Sequence, residues 1–148
     1  MLREALAVRV VRGVNHALAT LMAKEDVVAE KESKLQIVER HVEDVVVLTL
    51  AGEITLDDGE LKFGRWVDDL LKKGHKKILL DLAGVTYIDS AGVGMMAAEY
   101  KIVRGKGGAL KLLSLTGHSH RLLAMMKLMT VFEVFDDEAT AIRSFARM

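Results

Sequence analysis

The chain has 148 residues, enough for one domain, and 51% of them are hydrophobic, which supplies a core and excludes whole-chain disorder. Lys+Arg and Asp+Glu number 21 each, so the formal net charge is zero and no global field exists to hold nucleic acid or an anionic membrane. Cysteine and proline are both absent, which removes disulfides, thiolate metal sites, cysteine nucleophiles and Pro-rich linkers.

Residues 1–34 read as an N-terminal appendage and linker, ahead of a domain at 35–148. Leu2, Leu6, Val10, Val14, Leu18 and Leu21 recur at helical spacing, so the first 23 residues predict an amphipathic helix. Arg9 and Arg12 interrupt its apolar run, which argues against a secretory signal and against stable membrane insertion. Such a helix could dock on a partner, on the main domain, weakly on a membrane, or on a second copy as a homodimer contact. The plainer reading is an inert extension, with Met22 as another start. Residues 23–34 are charge-rich and read as linker.

The pattern changes at Leu35. Leu35, Ile37 and Val38 predict a short strand ending near Arg40, and His41–Asp44 a polar turn. Val45–Leu50 is a β-branched run suited to a strand covered on both faces, with Gly52 ending it. Asp57 or Asp58 predicts the cap of a helix reaching about Lys73, with Leu61, Trp66, Val67, Leu70 and Leu71 inward. Lys76–Leu82 reads as a strand, 91–104 as a helix and Ala109–Leu115 as a strand. A helix over His118–Met129, a strand over Val131–Phe135 and a helix over Asp136–Phe145 complete the chain. A hairpin followed by strands alternating with helices predicts an α/β fold: a small mixed sheet, parallel in its later part, packed by about four helices.

The chemistry concentrates in Asp81–Gly94, DLAGVTYIDSAGVG. Asp89 and Ser90 stand immediately before a helix, where either can cap the free N–H groups of the first turn. Gly92 and Gly94 are poor helix formers, each costing ~1 kcal/mol against Ala. Small residues there allow a close approach, by the sheet beneath or by a partner above. Ser90 would present a hydroxyl at the positive end of a helix dipole, a suitable acceptor for a phosphoryl group of roughly −1.5 to −2 charges. The plain alternative is an N-cap with packing glycines.

This segment closely resembles the phosphoacceptor segment of STAS domains, specifically the bacterial anti-sigma factor antagonists, whose pattern ends in D-S-[SAT]-G-[LV]-G. Val46–Glu53, Lys106–Leu113 and Leu128–Ala139 resemble further parts of the same domain in the same order, so the likeness spans about residues 35–146. The resemblance implies a STAS-like fold and a regulator that is a substrate, not an enzyme. It implies binding to an anti-sigma factor that is also a serine kinase, which binds ATP itself and phosphorylates Ser90 to end the interaction. A phosphatase would restore it. Asp89, Ala91, Gly92, Val93 and Gly94 would frame the contact, with Met95, Thr55 and Asp57 beside them. No cofactor is implied, and the setting would be the bacterial cytoplasm. Many members carry Asp where this chain has Thr55, and residues 1–34 have no counterpart in a minimal antagonist. The alternative within the same fold is a scaffold or binding subunit of a larger complex, stressosome-like or a lipid-transport ATPase, with Ser90 only a cap.

Other chemistries fit less well. Ile88-Asp89-Ser90-Ala91-Gly92 is not the G-x-S-x-G elbow of a hydrolase, and no His is placed by sequence to serve Ser90. His118 and His120 lack neighbouring acidic or thiolate ligands for a metal. Arg104–Gly108 follows a helix and leads into a strand, the reverse of a phosphate loop. The basic knot Lys72–Lys77 lacks interleaved aromatics for nucleic acid. A nucleotide or small-molecule binder would need a stacking or ribose motif, and none is visible.

Overall fold

The computed structural model describes residues 34–55 and 58–147. The expected N-terminal helix, its linker and Asp57 lie outside the described residues. Five strands form one sheet in the order β1-β2-β3-β4-β5. They are β1 (Leu35–Val42), β2 (Val45–Ile54), β3 (Lys77–Ile88), β4 (Ala109–Leu113) and β5 (Val134–Phe135). The hairpin β1–β2 is antiparallel, and the pairs β2–β3, β3–β4 and β4–β5 are parallel. Four helices accompany the strands among the described residues: α1 (Asp58–Lys72), α2 (Ser90–Gly105), α3 (Gly117–Met125) and α4 (Glu138–Ser144). The predicted mixed sheet with four helices is therefore what the chain builds.

The alternation along β2 explains the layers. Val46, Leu48 and Leu50 face one side, where Phe63, Trp66, Val67 and Leu70 of α1, Val93, Met96 and Val103 of α2, and Leu123 of α3 complete the larger core. Val45 and Val47 face the other side, with Leu79, Leu113 and the C-terminal Ala141, Ile142 and Phe145. β2 is thus covered on both faces, as its nearly unbroken apolar run from Val45 to Leu50 requires. Two polar anchors tie edges to this core. Buried Glu39 accepts from Trp66 Nε1 at 2.8 Å. Buried Lys111 donates to Ser144 Oγ at 2.9 Å and lies 4.6 Å from the centroid of the Phe145 ring.

Several boundaries differ from the sequence expectation, each for a tertiary reason. β2 does not stop at Leu50 but runs through Gly52 to Ile54. Gly52 takes φ +103°, and a Cβ there would sit 2.0 Å from the Lys34 carbonyl oxygen, so this glycine admits the start of β1 instead of ending β2. β3 likewise continues past Leu82 to Ile88, pairing with β2 as far as Ile54↔Ile88. Register shifts between Thr49 and Ala51 and between Gly52 and Glu53 absorb the irregularity. α3 ends at Met125 rather than Met129, with Lys127 at φ +60° turning the chain back. Leu128 and Met129 still pack on the core, but from the following loop. β4 stops at Leu113 because Ser114 has φ +60°, and β5 shrinks to two residues.

Candidate functional site

The long β3 delivers the chain to the junction with α2 at the carboxyl edge of the parallel strands. Ile88 is buried and fixed in the sheet against Ile54. Asp89 follows in an extended conformation and caps the helix: its Oδ1 accepts from the Gly92 N–H at 2.8 Å. Its backbone carbonyl accepts from Val93 N–H at 3.0 Å, the first intrahelical bond. Either Asp89 or Ser90 was eligible as cap by residue type, and the structure assigns the role to Asp89. Ser90 becomes the first helical residue, exposed, and its hydroxyl has no hydrogen-bond partner among the described residues. No acidic side chain lies in the first turn to offset the helix dipole, apart from the cap itself.

The two glycines play different parts. Gly92 is buried, and a Cβ there would lie 2.3 Å from the Ile54 carbonyl oxygen and 3.0 Å from Ile88 Cγ1. Its bareness lets the first turn of α2 rest on the ends of β2 and β3. Gly94 is exposed, and among the described residues a Cβ there would meet nothing within 4 Å. That position is open above. Val93 and Met95 point into the core, at 0% and 7% exposure, so neither side chain offers surface to a partner. For Met95 this corrects the expectation of a partner-facing methionine: the N-terminal half of α2 lies flat on the sheet. Ala91 is half-buried, and Thr55, half-buried too, directly follows the Ile54 carbonyl on which Gly92 packs. The structure therefore gathers Thr55, Asp89, Ser90, Ala91 and Gly94 at one edge, with Gly92, Val93 and Met95 as the support beneath.

Two further residues join this edge. Tyr87 is 46% exposed and its ring stacks on that of His118, with centroids 5.9 Å apart and planes 18° from parallel. His118 Nε2 lies 3.0 Å from the Ile88 carbonyl oxygen. A carbonyl only accepts, so Nε2 carries the proton and donates. By sequence His118 is a helix-start residue and a rejected metal ligand, and the 30 residues separating it from Ile88 hide this contact. Among the described residues, no group of three or more His, Cys, Asp or Glu side chains is arranged to hold a metal ion. Among the same residues, no helix is long and apolar enough to cross a membrane.

A five-stranded mixed sheet whose third strand hands an Asp-Ser pair to a glycine-bearing helix defines a recognisable class. Residues 36–141 match the STAS domain family model, and the chain belongs to that family. Among curated relatives, the anti-sigma F factor antagonist of Paenibacillus polymyxa is 27% identical over 108 residues, covering 73% of this chain and 92% of the relative. A Thermotoga neapolitana homologue of the protein TM1081 is 35% identical over 102 residues, covering 68% of this chain and 89% of the relative. The crystal structure of TM1081 from Thermotoga maritima superposes with a TM-score of 0.69 at 29% identity, over 74% of this chain and 94% of that one.

Proposed function

We propose that this protein is an anti-sigma factor antagonist, a binding protein switched off by phosphorylation of Ser90. One observation carries the reading. The cap of α2 is made by Asp89, which leaves the neighbouring Ser90 hydroxyl exposed, and unengaged among the described residues, at the positive end of the helix. A hydroxyl that is not needed for the fold is available for chemistry. The kinship with a named antagonist over most of its length supports the same conclusion.

The partner is an anti-sigma factor that is itself a serine kinase. It binds ATP, so the antagonist is a substrate and needs no cofactor. Ser90 Oγ attacks the γ-phosphorus, the bond to the ADP oxygen breaks, and the hydroxyl proton leaves to a base on the kinase or to water. The product sets a dianion beside the Asp89 carboxylate on an otherwise uncharged turn that includes Ala91 and Gly94. A kinase surface shaped for a neutral hydroxyl must then desolvate that charge, and binding is lost. A phosphatase returns the active form. These partners place the protein in the cytoplasm. The STAS domain takes residues 35–148 as its unit, and residues 1–34 form the appendage.

The test is labelling by the serine kinase anti-sigma factor of the same genome with γ-labelled ATP. Wild-type protein takes up label, Ser90→Ala does not, and Ser90→Asp binds the kinase at least tenfold more weakly. Equal labelling of Ser90→Ala rejects the site, and unchanged binding by Ser90→Asp rejects the charge switch.

A further inference from the structure

The Ser90 turn is held from outside its own strand and helix. Its inner side is fixed by packing, with Gly92 on the Ile54 carbonyl and Ile88. Its outer side is reached by a residue of another unit altogether. Thr116 caps α3 by accepting from Ser119 N–H, which fixes the start of that helix and so the position of His118 in its first turn. From there His118 Nε2 donates to the Ile88 carbonyl, the peptide that leads directly into Asp89. The imidazole is in turn steadied by the face of Tyr87.

We infer that His118 is a positioning residue for the phosphoacceptor turn, acting through the Ile88–Asp89 peptide. The inference rests on Ser90 being the acceptor. The chain of cause is short. Asp89 can cap Gly92 only while it stays extended, at φ −106° and ψ 179°. The plane of the Ile88–Asp89 peptide sets where that residue begins. A hydrogen bond to its oxygen removes the freedom of the peptide to rotate, and so keeps the cap closed and Ser90 at a fixed place on the surface. The bond joins the ends of β3 and α3, so the turn is clamped between two crossover units and does not depend on local sequence alone. The Tyr87–His118 stack lies at the surface on the same edge, so a kinase that takes Ser90 meets these rings too.

Amide hydrogen exchange of the full chain, read by NMR, tests the clamp without any kinase. His118→Phe keeps a ring for Tyr87 but loses the donor. Exchange at the Gly92 amide, the one held by Asp89, speeds up about two- to tenfold, the range for one neutral hydrogen bond. The Val47 amide in the sheet centre keeps its rate. His118→Gln, which places an N–H where Nε2 stood, restores slow exchange at Gly92. In the kinase assay His118→Phe lowers kcat/KM for Ser90 by a similar factor, and His118→Gln recovers it. An unchanged Gly92 rate in His118→Phe, or an equal rise at Val47, overturns the clamp. If Ser90→Ala labels like wild type, the acceptor reading falls, and the exchange result at Gly92 shows separately whether the clamp stands.

Discussion

Replacing Gly92 and Gly94 singly by alanine, two residues apart on one helix, separates packing from recognition. Both changes add the same methyl group and the same gain in helix propensity, up to ~1 kcal/mol. At Gly94 nothing among the described residues lies within 4 Å of the new Cβ, so the propensity gain is realised and stability rises by about 0.5–1 kcal/mol. At Gly92 the Cβ would lie 2.3 Å from the Ile54 oxygen, inside the 3.0 Å that real Cβ atoms keep. Neither neighbour can yield easily, since Ile54 and Ile88 are paired in the sheet and both are buried. An overlap this deep with backbone sits in the upper part of the overpacking range, about 2–3 kcal/mol, and less the propensity gain of up to ~1 kcal/mol it leaves a net loss of about 1–2 kcal/mol. The variants should therefore move in opposite directions and differ by about 2 kcal/mol, or about 8 °C in midpoint. Urea unfolding followed by Trp66, the single tryptophan and a buried one, reads the difference. The proposed function adds a second axis. Gly94→Ala, though more stable, puts a methyl on the exposed face just beyond Ser90 and should label more slowly with the kinase. A Gly92→Ala protein as stable as wild type would refute the packing argument, and a Gly94→Ala protein as unstable as Gly92→Ala would refute the open face.

Glu99 on α2 has its pKa pushed up to about 7, by burial first and by Asp68 of α1 second. A carboxyl whose folded pKa exceeds its unfolded value near 4.3 holds its proton more tightly in the fold, so its contribution weakens as pH rises from about 4.5 through 7. Glu99→Gln should gain on the order of 1 kcal/mol at pH 8, after discount for a half-buried group, with the gain fading toward pH 4.5. A gain constant from pH 5 to 8 in urea titrations would contradict the assignment. Asp89→Ala removes the α2 cap and should lose about 1 kcal/mol, whereas Asp89→Asn keeps most of it, as the same titrations would show. Ser90→Asp should leave the unfolding free energy within about 0.5 kcal/mol of wild type, as expected for an exposed side chain with no partner among the described residues.

How far the sequence discloses this fold depends on whether a signal is local. The β-branched run at Val45 and the basic, glycine-ended close of α1 at Lys72–Gly74 are local, and the order of elements follows from them. Gly52 and Gly84 mislead because a glycine inside a strand looks like a terminator. Each is there for a neighbour: Gly52 admits the Lys34 carbonyl, and Gly84 has the Leu50 oxygen and Ala51 Cβ both 3.2 Å from its missing Cβ. The sequence pattern makes α3 too long because Met126 and Met129 continue the apolar period, but a loop can pack the same side chains on the core. At the site, the Asp-Ser-Ala-Gly junction is visible as a strand meeting a helix. The burial of Met95 is not, since it depends on how α2 lies against the sheet, and neither is the reach of His118 from a separate unit.

Which of two adjacent residues caps α2 bears on whether a phosphoryl switch is compatible with the fold. Had Ser90 been the cap, its oxygen would accept from the first turn, and esterifying it would alter a bond that starts the helix. Modification would then act on stability as well as on recognition. With Asp89 as cap, the Gly92 amide is already satisfied at 2.8 Å, and Ser90 contributes nothing that the helix requires. A phosphate can be added and removed there while the cap, the Gly92 contact with Ile54 and the core beneath remain as they are. The glycines divide in the same manner, Gly92 committed inward and Gly94 left outward. Under the proposed switch, stability and recognition therefore rest on different residues at the start of α2, so the charge on its surface can change without a change in the fold that carries it.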